Sequence, residues 1–200
     1  MKTFKNTEKH GTDRGIGEKG IAAVEGLFMM LVFLAIAFGI VEFGSMIHAQ
    51  TTVTHIAREG GNLASRDINA GNDLLDLLAA SSSSLAFAQN PGDYKIFLVS
   101  VQAGDATDNA PSCDTVFQRG TLSGNTIRSP QVEPNCGLTP ELATYLTHDG
   151  TLSAIERLTV VRVYYHHAPL TPLGRILAAP MFGSIQTDVG DIVMTSQSIF

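Results

Sequence analysis

From Ile21 to Val41 the chain reads IAAVEGLFMMLVFLAIAFGIV, 21 residues in which Glu25 is the only charge. About 20 mainly apolar residues suffice to cross a hydrocarbon core. A core helix of a soluble domain carries a polar stripe every three or four positions, and none exists here from Gly26 to Val41. The pattern predicts a membrane-spanning helix over 21–41. Residues 1–19 are polar, basic and without periodicity, which predicts an unstructured leader. After Val41 the sequence EFGSMIHAQTTVTHIAREGGNLASR turns amphipathic. Ile47, Val53, Ile56, Ala57 and Leu63 fall within one broad face, so the helix is expected to continue over 42–66. Such a rod would be about 69 Å long at 1.5 Å per residue. Gly60 and Gly61 weaken it and mark either a bend or its true end.

The remainder, 67–200, changes period. A break is expected at Asn69-Ala70-Gly71, with Asn72 as a cap. A second amphipathic segment follows over Asp73–Ala88, where Leu74, Leu75, Leu77, Leu78 and Leu85 suit a short helix packed on a sheet. Asn90-Pro91-Gly92 signals a turn. Tyr94–Gln102 reads as a strand, with Tyr94, Ile96, Leu98 and Ser100 on one face. A short strand is expected around Asp114–Gln118 within a long loop, and a helical turn over Glu141–Thr147. Leu158–His166 is dense in β-branched and aromatic residues and is the clearest strand. Ala168-Pro169-Leu170-Thr171-Pro172 ends it. Ile176–Phe182 reads as a short helix or an apolar loop, and Asp191–Ile199 as a last strand. The fold class is therefore α+β: one long N-terminal helix and a small head with an antiparallel sheet.

Charge sharpens this picture. The net charge of −6 hides an asymmetry. Residues 1–20 hold five basic and three acidic side chains, leaving 8 basic and 16 acidic ones for the rest. Positive charge beside an apolar span stays cytoplasmic, which predicts a cytoplasmic N-terminus and an exported head. An acidic head is a poor nucleic-acid binder, so that class of partner is set aside. Cys113 and Cys136, with 22 residues between them in a Ser-, Gly- and Pro-rich stretch, suit a disulfide in an oxidising compartment. Two free thiols are the alternative.

Glu25 carries the most information. A carboxylate inside a lipid-facing segment is costly and needs a partner. A cut after Gly20 would give Ile21 an α-amino group about one helical turn away, or within reach of Glu25 on a packed neighbour. Glu25 would then be an assembly device. The alternative is a carboxylate that snorkels to the interface.

The stretch GIAAVEGLFMMLVFLAIAFGIVEFGSMIHAQTTVTHIAREGGNLASR resembles the N-terminal signature of TadE-like pseudopilins. Gly39, Glu42, Phe43 and Gly44 match a Gly-x-x-Glu-Phe-Gly box, and Ala57, Arg58, Glu59 and Gly60 an Ala-Arg-Glu-Gly box. Strong similarity runs over about 14–66. A weaker likeness runs over about 158–198, where VRVYYHHAPLTPLGRIL resembles the family's aromatic strand and Pro-Leu-x-Pro turn. The resemblance implies a pilin-like minor pilin or pseudopilin of the tight-adherence secretion system. It would be a single-pass protein of the bacterial inner membrane with a periplasmic head. Gly20 would precede the bond cut by a prepilin peptidase, Ile21 would begin the mature chain and Glu25 would act in assembly. Its partners would be the peptidase, other pilins and pseudopilins, inner-membrane pilus-assembly proteins and the lipid bilayer.

No catalytic, cofactor or metal role is expected. His166 and His167 alternate on a strand and point to opposite faces. His148 and Asp149 lie in a turn, and no serine stands in a Gly-x-Ser-x-Gly elbow. Asp105, Asp108, Asn109 and Asp114 form an oxygen-rich loop without the twelve-residue calcium pattern. Glu42, Arg58 and Glu59 are expected as solvated helix charges, or as partners of the head or a neighbouring subunit. Two other classes compete with the pilin reading. An uncleaved bitopic protein with a ligand-binding head would have only about 20 cytoplasmic residues, too few for a signalling domain. An anchored hydrolase lacks a nucleophile–base motif.

Overall fold

The computed structural model describes residues 15–66, 71–105, 110–148, 150, 155–172 and 192–200, with side chains from Gly20 onward. The order of elements is α1 (Gly15–Ala64), α2 (Asn72–Ser81), β1 (Tyr94–Gln102), β2 (Ser112–Arg119), α3 (Pro140–Leu146), β3 (Arg157–His167) and β4 (Ile192–Ile199). The expected α+β architecture is what the chain adopts: a long apolar helix followed by one four-stranded antiparallel sheet in the order β2-β1-β3-β4.

Helix α1 is continuous for 50 residues. The chain is already helical at Gly15, five residues before Gly20, where the missing periodicity implied no structure. Gly60 and Gly61 neither bend nor end it. They are places where α1 comes too close to its neighbours for a side chain. A methyl group on Gly60 would lie 2.7 Å from Leu78 Cδ1 and 3.2 Å from Val161 Cγ1, and one on Gly61 would meet the Phe200 ring. Packing therefore outweighs the helix-propensity cost of two glycines. The buried face of the upper helix is Ala49, Val53, Ile56, Ala57, Gly60 and Ala64. Ile47, expected on that face, is exposed.

The period-2 pattern of β1 is correct, but both faces of the sheet are covered. Tyr94, Ile96 and Leu98, with Val161, Val163 and Met194, pack against α1 and α2. On the other face Val99, Val101 and Val160 pack against Cys136, Leu138, Ala143 and Leu146, from the loop and α3. Helix α2 is shorter than the amphipathic segment suggested. The hydroxyls of Ser81 and Ser82 bond the Leu78 and Ala79 carbonyls at 2.9 and 2.7 Å, which competes with further helix. Its cap is Gly71, with Asn72 already helical, and Leu77 is exposed. Helix α3 starts where Thr139 Oγ1 accepts from the Leu142 N–H and Pro140 occupies the first turn. The break at 69–70, Asp149 and the 176–182 segment lie outside the described residues. So do Asp108 and Asn109 of the acidic loop.

Candidate membrane and assembly site

Among the described residues the lower half of α1 has no packing partner. Every residue from Gly20 to Ala37 is exposed, including Phe28, Met30, Phe33 and Ile36. Among the described residues α1 alone is long and apolar enough to cross a membrane, with an 18-residue window of mean hydropathy 2.5 and none of it buried. Over 21 residues the apolar run rises about 32 Å, close to the thickness of a hydrocarbon core. The helix is compatible with a single-pass membrane protein.

At the start of this run Gly20, Ile21, Val24, Glu25 and Phe28 line one open depression on the helix surface. Gly20 and Ile21 lie inside the helix, and Glu25 is exposed on the same side. Gly39 and Gly44 have open space around them: beyond its own turn of helix, a methyl group on either meets no atom of the described residues within 4 Å. Phe43 is exposed in the same stretch.

Glu42, one residue past the run, is built quite differently. Its side chain is buried against the strand end and the turn that follows β3. Thr171 donates to Oε2 from its backbone N–H at 3.0 Å and from its hydroxyl at 2.9 Å. The Leu170 N–H donates to Oε1 at 3.4 Å. His167 Nε2 stands 3.7 Å from Oε1 and 3.4 Å from the Ser45 hydroxyl, which itself donates to the Glu42 carbonyl at 2.8 Å. Burial pushes the Glu42 carboxyl up. The donors from Thr171 and Leu170, and the nearby imidazole, outweigh it and hold the carboxyl below its ordinary value. The expectation of a solvated charge is wrong for Glu42, because its hydrogen-bond donors arrive from 128 and 129 residues away. Arg58 and Glu59 are exposed, as solvated helix charges would be. Ala57 is fully buried and Gly60 packs on Leu78, so the second box divides into an inner and an outer face.

Two further constraints hold the head. Cys113 on β2 and Cys136 are disulfide-bonded, with Cα atoms 5.8 Å apart. Beside them Arg162, buried on β3, donates to Glu133 Oε1 at 2.7 Å and to Gln197 Oε1 at 2.9 Å from Nε and 2.6 Å from Nη2. Gln197 in turn donates to the Gly137 carbonyl at 3.0 Å, and the Tyr164 hydroxyl to the Arg128 carbonyl at 3.2 Å. Gly137 adopts φ +71°, and a side chain there would collide with the Arg162 guanidinium. This network ties the 128–137 loop to the sheet. A lone Arg among the β-branched residues of LTVVRVYYH was its one trace in the sequence.

Comparison with known proteins gives one positive finding. Residues 20–62 match the family model described as TadE-like protein. Searches of curated proteins and of solved structures each returned no match. The matched stretch holds Gly20, Glu25 and both boxes, and it stops before the head. The stem, with its bare apolar half and its Glu42 anchor, is thus the part of the chain that is similar to the TadE-like family.

Proposed function

We propose that the chain is a minor pilin or pseudopilin that takes part in assembly of a tight-adherence pilus. A single helix inserts it in the inner membrane, with residues 1–20 cytoplasmic and the head periplasmic. A prepilin peptidase removes residues 1–20, and the new Ile21 amine becomes a charge partner for Glu25 on the same or a neighbouring helix. The head then contacts other pseudopilins. The observation that carries this reading is the TadE-like match over a helix whose apolar half is bare and holds one lone carboxylate. The Cys113–Cys136 bond suits an exported head.

The test is intact mass and N-terminal sequencing of the membrane-derived protein, with and without its prepilin peptidase. A mature start at Ile21 that depends on the peptidase is the expected result. Retention of residues 1–20 in both strains would sink the reading and favour an uncleaved bitopic protein.

A further inference from the structure

We propose that the base of the head is a lipid-contact surface. Leu170 and Ile192, beside the Phe43 turn of α1, rest in the headgroup region of the bilayer that α1 crosses. The inference rests on reading 21–41 as the membrane span.

The apolar run stops at Val41 and Glu42 is the next residue. The Leu170 N–H reaches Glu42 Oε1 at 3.4 Å, so Leu170 lies level with the point where α1 leaves the run. Its side chain is 66% exposed. Ile192 faces the same place from another element. It pairs with His167 in the β3–β4 register, and His167 stands 3.7 Å from that same carboxylate. Ile192 is 38% exposed and Phe43 68%. A single exposed apolar side chain needs no explanation. Here a helix, a turn and a strand end each present one at the same height, continuous with a bare apolar helix surface below.

Charge at this level supports the same occupant. An ionised carboxylate on the lower surface of the head would resist contact with lipid. Glu42 is instead turned inward under three donors, so the charge nearest the span is satisfied without water. His166 and Asp93, 3.8 Å apart, lie on the other side of β3. Apolar and aromatic side chains beside a satisfied charge suit the bilayer interface. Glu42 then acts as a latch that holds the turn bearing Leu170 down at the membrane surface.

The test uses the full chain in phosphatidylcholine vesicles that carry nitroxide lipids, labelled either at the headgroup or at mid-bilayer. A thiol-reactive fluorophore is placed in turn by Leu170→Cys, Ile36→Cys and Asn62→Cys, with the native cysteines kept as their disulfide. Asn62 is exposed on α1 and about 30 Å above Glu42 along the helix. The expected result is strong mid-bilayer quenching at position 36. Quenching by headgroup nitroxides should be several-fold stronger at position 170 than at position 62. Equal quenching at 170 and 62, with 36 still quenched, would overturn the docked base and leave the span intact. Cross-linking between copies through unlabelled Leu170→Cys, without lipid quenching of the labelled form, would overturn it in favour of a protein interface. An unquenched probe at 36 would remove both the span and the inference built on it.

Discussion

The two halves of α1 share one backbone and face different surroundings. Below Glu42 the side chains turn outward on all sides, and Gly39 has open space beside it. Above Glu42 one face is sealed by α2, β3 and β4, and Gly60 and Gly61 are pressed against Leu78, Val161 and Phe200. The two carboxylates repeat the contrast. Glu25 is exposed within the apolar run, while Glu42 is buried with its donors supplied by the turn after β3. Helix propensity cannot separate these halves, since both are strongly helical. What separates them is packing: the upper half is covered by the head, and the lower half is exposed among the described residues.

The largest effect should come from removing an apolar side chain in each half. Ile56→Ala, at a site 4% exposed, should cost the head about 2–5 kcal/mol. Ile36→Ala, at a site 54% exposed, should leave it within about 0.5 kcal/mol. Urea unfolding of the detergent-solubilised chain, followed by tyrosine fluorescence of the head, would measure both. A comparable loss from Ile36→Ala would mean that the lower half also packs on the head.

The carboxylates come next. Glu42→Gln should cost about 1–3 kcal/mol, because it removes the charge from donors that stay buried. The folded-state value of Glu42 is depressed, so its contribution is full above the unfolded-state value. It is lost as pH falls through the folded-state value, on the acid side of the ordinary carboxyl range. Wild-type stability should therefore fall with acid more steeply than that of Glu42→Gln. Glu25→Gln should leave head stability and membrane insertion unchanged but impair piliation. Normal piliation in that variant would remove its assembly role.

The glycines give the smallest contrast. Gly44→Ala adds a methyl in open space and improves helix propensity, so it should shift head stability by under about 1 kcal/mol, in the favourable direction. Gly60→Ala pushes a methyl onto Leu78 and should destabilise by about 1–3 kcal/mol. Thermal melts of the pair would show whether openness or closeness of packing sets the sign.

Local patterns were legible in the sequence and long-range partners were not. The apolar run, the alternation of Tyr94–Gln102 and the β-branched density of Leu158–His166 each carry their own period, and each became the expected element. The two cysteines were readable as a pair from composition and spacing, and they are bonded. Glu42 looked like any helix charge, because Leu170 and Thr171 are far away in sequence. Gly60 and Gly61 looked like a helix end, because a packing glycine and a breaking glycine are the same letter. Ile47 was misplaced for a related reason. A broad amphipathic stripe does not reveal where the sheet stops covering it. The second covered face of the sheet was hidden too, since its cover comes from a loop without periodicity.

The antiparallel pairing of β1 with β3 and of β3 with β4 has a bearing on the order of folding. Val161 and Val163, which cover the upper face of α1, leave the ribosome some hundred residues after Val53 and Ile56. Met194, in the same core, and Phe200, which covers Gly61, come later still. During synthesis the earliest part of the head is therefore sticky and unsheltered until the latest part arrives. Such non-local closure is slow and exposes the chain to misassociation.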